Sequence, residues 1–152
     1  MTEQFNEFLE SVDPKHRAFV QELHEMFLGT GTKVTIEKKA AGFLVVYKSA
    51  KTKKSVFNIY FRKNGLHVRL YPAASSNKVT LTDYMVSEID KAVDCKRLKG
   101  GECSDKCVTG YDFELCGKHY KKCRLCCFAF LVTEESKPVI ETWVKEELVE
   151  LL

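Results

Sequence analysis

The sequence predicts an α+β fold: one antiparallel β-sheet with helices packed on one face, and a cysteine-rich loop bound to a metal. Three observations carry this expectation. Four stretches of strand character follow one another between residues 34 and 71, joined by connectors too short for a crossover helix. Apolar residues at helical spacing bracket that run on both sides. All seven cysteines fall between Cys95 and Cys127. The 152 residues are expected to form a single domain, 1–152, large enough to bury a core without covalent staples.

The elements follow in order. Phe5, Phe8, Leu9 and Val12 recur at helical spacing. Asp13-Pro14 then restarts the helix, with the aspartate as N-cap and the proline at the first helical position, where its missing N–H is harmless. Phe19, Leu23, Met26 and Phe27 continue the apolar stripe, and "GTGT" at 29–32 ends it. Strands are predicted over 34–38, 43–48, 55–62 and 66–71. Asn64-Gly65 is the strongest of the intervening turn signals. A helix is predicted over 81–93, with Met85, Ile89 and Val93 on one face. A small hairpin pairs 111–115 with 118–122 around Cys116-Gly117, and a buried strand covers 124–133. Ser136 and Pro138 open a last helix with Val139, Ile140, Trp143, Val144, Leu148 and Leu151 inward.

Alternation along the strands sorts their side chains onto two faces. Phe43, Val45, Tyr47, Phe57, Ile59, Phe61, Leu66, Val68 and Leu70 form the face that should meet the helices. The other face carries Lys48, Asn58, Tyr60, Arg62, His67, Arg69 and Tyr71, with Leu44, Val46 and Val56 among them. Tyr60, Arg62, His67, Arg69 and Tyr71 are the candidate ligand-binding residues. Cations interleaved with aromatic rings suit an anionic or aromatic small molecule, or a protein surface of that chemistry.

Charge is segregated along the chain. Residues 28–80 hold eleven basic side chains and one acidic one, while 1–27 and 134–152 are net acidic. Lysines in exposed hairpin turns such as "KTKK" also guard sheet edges against aggregation. The functional alternative is a basic surface for nucleic acid.

The cysteines are spaced Cys95-x7-Cys103-x3-Cys107-x8-Cys116-x6-Cys123-x2-Cys126-Cys127. Cys126 and Cys127 open the apolar run "CCFAFLV" and read as core packing. Cys103 and Cys107 have the close spacing of a paired zinc ligand. The predicted zinc ligands are Cys95, Cys103, Cys107 and Cys123, with Cys116 as substitute. Lys96, Arg97, Lys106 and Lys122 would offset the charge of a four-thiolate site. An iron–sulfur cluster or a redox switch is the rival reading, but the spacing matches neither ferredoxin pattern, and no Cys-x-x-Cys opens a helix. An odd count of seven leaves at least one thiol over in any all-disulfide scheme.

"FRKNGLHVRLY", "CKRL", "CSDKCVTGYDF", "GKHYKKCR" and "ESKPVIETWVKEEL" together resemble a family of small, uncharacterised bacterial cysteine-containing proteins, over about residues 40–148. That resemblance implies basic strands, a cysteine loop and a terminal helix, and no activity. The element order also looks distantly like the frataxin-like fold of YdhG-type domains. Frataxin-like proteins bind iron through acidic surfaces, whereas the sheet here is basic.

Catalytic motifs are lacking: there is no G-x-S-x-G, H-E-x-x-H, phosphate loop or dinucleotide fingerprint. The four histidines are scattered, and His16 and His24 are expected to face solvent or to pack. The longest apolar run is too short to span a bilayer, and the N-terminus lacks the features of a signal peptide. The expectation is a cytoplasmic, zinc-stabilised binding module with no membrane role and no catalytic residues.

Overall fold

The computed structural model of the chain describes residues 2–103, 110–124 and 128–151. The fold is α+β. Helices α1 (Glu3–Ser11) and α2 (Pro14–Leu28) precede strands β1 (Lys33–Lys39), β2 (Gly42–Lys48), β3 (Ser55–Arg62) and β4 (Gly65–Leu70). Helix α3 (Asp83–Asp90), hairpin strands β5 (Tyr111–Leu115) and β6 (Lys118–Lys122), strand β7 (Phe128–Leu131) and helix α4 (Ser136–Leu151) complete it.

The sheet is antiparallel throughout, in the order β1-β2-β3-β4-β7. The first four strands form a meander because each connector is a tight turn. At 64–65 the turn needs the glycine, whose φ of +130 no side-chain-bearing residue adopts readily. The register sets Ile59 opposite Val68 and Phe57 opposite Leu70, so both strands present their apolar set to one face.

That face is closed by rings. Thr2 caps α1, and Asp13 caps α2 with Pro14 in the first turn. The caps aim Phe5, Phe8 and Phe27 at the sheet. Phe27 stacks on Tyr47 and Phe57 at 4.6 and 5.0 Å, and Phe8 meets Phe43 and Phe61 edge-on at 6.0 Å. Trp143 of α4 is fully buried against Phe113 and Phe130. His16 and His24 are both buried, so both are packing residues. His24 lies flat on Phe5, with ring centroids 3.6 Å apart, and its Nδ1 shares a 2.6 Å hydrogen bond with the Tyr47 hydroxyl.

Two expectations about the chain after the meander are corrected. The helix over 81–93 is shorter, Asp83–Asp90, and Val93 is 67 % exposed instead of inward. Thr82 caps its start, and past Asp90 the backbone is captured by β6: the Cys95 N–H donates to Lys121 O at 2.8 Å and the Cys123 N–H to Val93 O at 2.7 Å. The strand expected over 124–133 begins at Phe128 after an undescribed stretch, and Arg124 sits in a turn with its guanidinium 4.2 Å from the Tyr111 ring centroid. The expected core positions Cys126 and Cys127, and the side chain of Leu151, lie outside what is described.

The hairpin forms as predicted. Cys116 and Gly117 both adopt positive φ, +47 and +85, the mirror-image turn that matches strand twist. It packs Phe113 edge-on against Phe128 at 5.5 Å. α3 covers the free edge of β7, where the Leu131 N–H donates to the Tyr84 hydroxyl at 2.9 Å.

Candidate functional site

The five predicted ligand-binding residues share the sheet face turned away from the aromatic core. Register places Tyr60 opposite His67, and Asn58 opposite Arg69. Their contacts are mutual. The Arg62 guanidinium stands 5.5 Å from the Tyr60 ring centroid, Tyr60 and His67 lie 5.7 Å apart, and Arg69 stands 4.8 Å from Tyr71. The Asn58 side-chain amide donates to the Tyr71 hydroxyl at 3.1 Å. The face is therefore a ladder of cation–ring pairs, each side chain shielding the next.

Exposure sorts the five. His67 is 6 % exposed, and its buried ring is held below the ordinary imidazole value chiefly by desolvation. Its ring is closed in by its neighbours, Tyr60 among them. Arg62 is exposed, while Tyr60, Arg69 and Tyr71 are half-buried.

Tyr71 joins this ladder to a cavity of about 830 Å³ at the end of the sheet, where β3 begins and β4 ends. The cavity also takes in Lys54, Tyr111, Asp112, Arg124 and Glu147. Phe57, Leu70 and Val144 lie beneath it, and Val56, Tyr71 and Ala73 are its accessible apolar side. Its volume lies within the range typical of small-molecule sites.

Both carboxylates of the cavity serve the fold. Glu147 of α4 accepts from the backbone N–H groups of Ala73 and Ala74 at 3.0–3.3 Å, pinning the chain that leaves β4. Asp112 pairs with His119 across the hairpin. The cations are placed by turns. Ser49 organises the β2–β3 turn by accepting from Lys51 N and Thr52 N, and the backbone N–H of Lys54 donates to Thr52 Oγ1. Lys53 adopts φ +61 there, and neither Lys53 nor Lys54 forms an ion pair among the described residues. Burial raises the Tyr111 phenol, against the pull of Arg124 and Arg69. Arg69 and Arg124 thus stand over the Tyr71 and Tyr111 rings.

Lys54, Tyr111 and Arg124 were absent from the predicted set. "KTKK" was legible as a lysine turn, but nothing in the order of residues pairs it with Arg124 seventy residues later.

The cysteines are less gathered. Cys95 is 3 % exposed and Cys123 half-buried, and they flank the Asp94–Lys122 bridge of one short antiparallel ladder. Alternation puts both on the side opposite the 3.0 Å Lys122–Asp94 ion pair. The Cys95 sulfur accepts backbone N–H groups from Leu98, Gly110 and Arg97, which hold its thiol below the ordinary value. Gly110 fits only as glycine: a Cβ there would clash with the Lys122 carbonyl oxygen and lie 3.0 Å from that sulfur. Cys103 is exposed, and Cys107 lies outside the described residues. The substitute, Cys116, is held at the hairpin tip by Asn77 O and Val79 O at 3.2 and 3.1 Å. Among the described residues no three His, Cys, Asp or Glu side chains gather closely enough to hold a metal ion.

No protein-family model matches the chain, and neither does any curated protein or solved structure. No helix among the described residues is long and apolar enough to cross a membrane.

Proposed function

We propose that this protein is a non-catalytic binding module for an anionic small molecule, taken up at the end of the sheet beside Tyr71. The observation that carries this reading is the placing of Lys54 and Arg124 on the wall of the 830 Å³ cavity beside the Tyr71 and Tyr111 rings, with Lys54 in no ion pair among the described residues and the cavity's carboxylates held in hydrogen bonds to Ala73, Ala74 and His119. Arg69 and Arg124 lie over the two tyrosine rings and add to the positive field. Thermal melts against a panel of aromatic carboxylates, sulfonates and phosphates test it. A ligand of the folded state raises Tm with concentration. The Arg124→Gln/Lys54→Gln variant should lose that rise. If no anion shifts Tm, or the variant shifts as far as the wild type, the reading fails.

Structural zinc belongs to the same proposal, with Cys95, Cys103, Cys107 and Cys123 as ligands and Cys116 outside the set. Its support is the cradle of three N–H donors around the Cys95 sulfur, since a thiolate ligand is stabilised in that way. Elemental analysis should find one zinc per chain with no visible absorption band. Cys103→Ser should lower Tm well beyond Cys116→Ser. Equal effects, or a brown iron-loaded protein, would overturn the assignment.

A further inference from the structure

Resting on that reading, we infer that the ligand is a nucleotide, a planar base carrying two or three phosphates. The cations come from two separate elements. Lys54 belongs to the β2–β3 turn, and Arg124 to the segment after β6. A phosphate carries about −1.5 to −2 and three acceptor oxygens, enough to meet both cations at once, whereas a carboxylate brings one charge and two oxygens. Lysines act on phosphate as point charges and arginine as a planar fork. The turn that holds the lysines is itself ordered, with the Ser49 N–H donating to Lys54 O at 3.0 Å and the Lys53 N–H to Ser49 O at 2.8 Å.

The rest of the cavity suits a flat ring. Val56, Tyr71 and Ala73 supply an apolar shelf next to the lysine turn. Tyr71 is fixed by the Asn58 amide on its hydroxyl and by Arg69 over its ring. A ring held in that way presents a stacking surface with little conformational freedom left to lose. The protein's own carboxylate, Glu147, already fills the Ala73 and Ala74 N–H groups, so the phosphates are directed to the lysine turn and Arg124 instead. Base on the shelf and phosphates on the turn is the arrangement that uses both halves of the site.

The test is fluorescence polarisation of the full chain with N-methylanthraniloyl-ATP, competed by ATP, adenosine and inorganic tripolyphosphate. ATP should compete, with adenosine and tripolyphosphate each at least about tenfold weaker, because each lacks one half of the contacts. Lys54→Glu should weaken ATP at least about tenfold, while Lys63→Glu, in the turn at the other end of β3, changes it less than about twofold. Tyr71→Leu, with its melt measured as a control for folding, should weaken ATP and leave tripolyphosphate unchanged. Equal competition by adenosine or tripolyphosphate, or an equal loss with Lys63→Glu, would overturn the nucleotide assignment. So would an oligothymidylate that binds about a hundredfold tighter than ATP with a steep salt dependence. Failure of ATP alongside an aromatic carboxylate that binds and is lost in Arg124→Gln/Lys54→Gln removes the nucleotide and leaves the binding module. Failure of every anion removes both.

Discussion

The two faces of the sheet are built from neighbouring residues of the same strands and solve burial in opposite ways. On one face Phe57, Ile59, Val68 and Leu70 are buried in the core shared with the helices, where Phe27 of α2 stacks on Phe57 and Trp143 of α4 packs on Phe130. On the other, Asn58, Tyr60, Arg69 and Tyr71 are half-buried by one another, through stacked guanidinium and phenol groups. The first arrangement gains from area removed from water and leaves few polar groups to satisfy. The second keeps polar atoms inside it: Asn58 Oδ1 and Arg69 Nε are buried without hydrogen-bond partners among the described residues. A face that tolerates such groups is not optimised for stability alone. Its charge lies where the cavity opens at Tyr71.

The largest test of this contrast is Phe57→Ala against its neighbour Asn58→Ala. Removing the buried ring should cost about 3–5 kcal/mol. Removing Asn58 should cost about 1 kcal/mol or less, because an unpaired buried oxygen disappears along with one hydrogen bond. Equilibrium urea unfolding measures both, and similar losses would mean that the two faces are equally dry.

The next effect is pH-dependent. Burial holds His24, on the core face, and His67, on the other, below the ordinary histidine value. It does the same for His16, helped by Lys137 and Lys15. The unfolded chain therefore binds more protons than the folded one between the folded values and about 6.5. Stability should be flat above that range and fall as pH drops through it. Melts at about pH 7.5 and 5.5 should show the loss. His24→Gln should flatten the slope more than His67→Gln, since His24 is sealed between Phe5 and Tyr47. The reverse order would make the polar face the drier of the two.

The smallest effect is expected from Arg69→Met. It removes one cation–ring pair and one buried unpaired nitrogen, so stability should move by no more than about 1 kcal/mol in either direction. A loss several times larger would show that the ladder holds the sheet together.

Much of the fold was legible because it is written in local periodicity. Asp13-Pro14 marks a helix start, Asn64-Gly65 a hairpin turn, and Cys116-Gly117 a mirror-image turn, each for a reason confined to a few residues. Local signals failed where a distant partner decided the outcome. Val93 continues a helical stripe in sequence, yet its backbone pairs with β6 and its side chain faces water. Arg124 precedes a strand-like run, yet it turns to stack on Tyr111. His67 alternates onto the polar face as expected but is closed in by its neighbours.

The candidate site divides in the same way. Alternation alone placed Tyr60, Arg62, His67, Arg69 and Tyr71 on one face, because a strand of known register leaves no other choice. The sequence by itself also determined the basic character of 28–80 and the confinement of every cysteine to one segment. Tertiary structure decided which of those charges matter. Glu147 and Asp112 are engaged by hydrogen-bond partners 74 and 7 residues away, while Lys54 and Arg124 line one cavity that no single element contains. A cavity is the gap left where packed elements stop meeting, and its shape depends on pairings far apart in the chain.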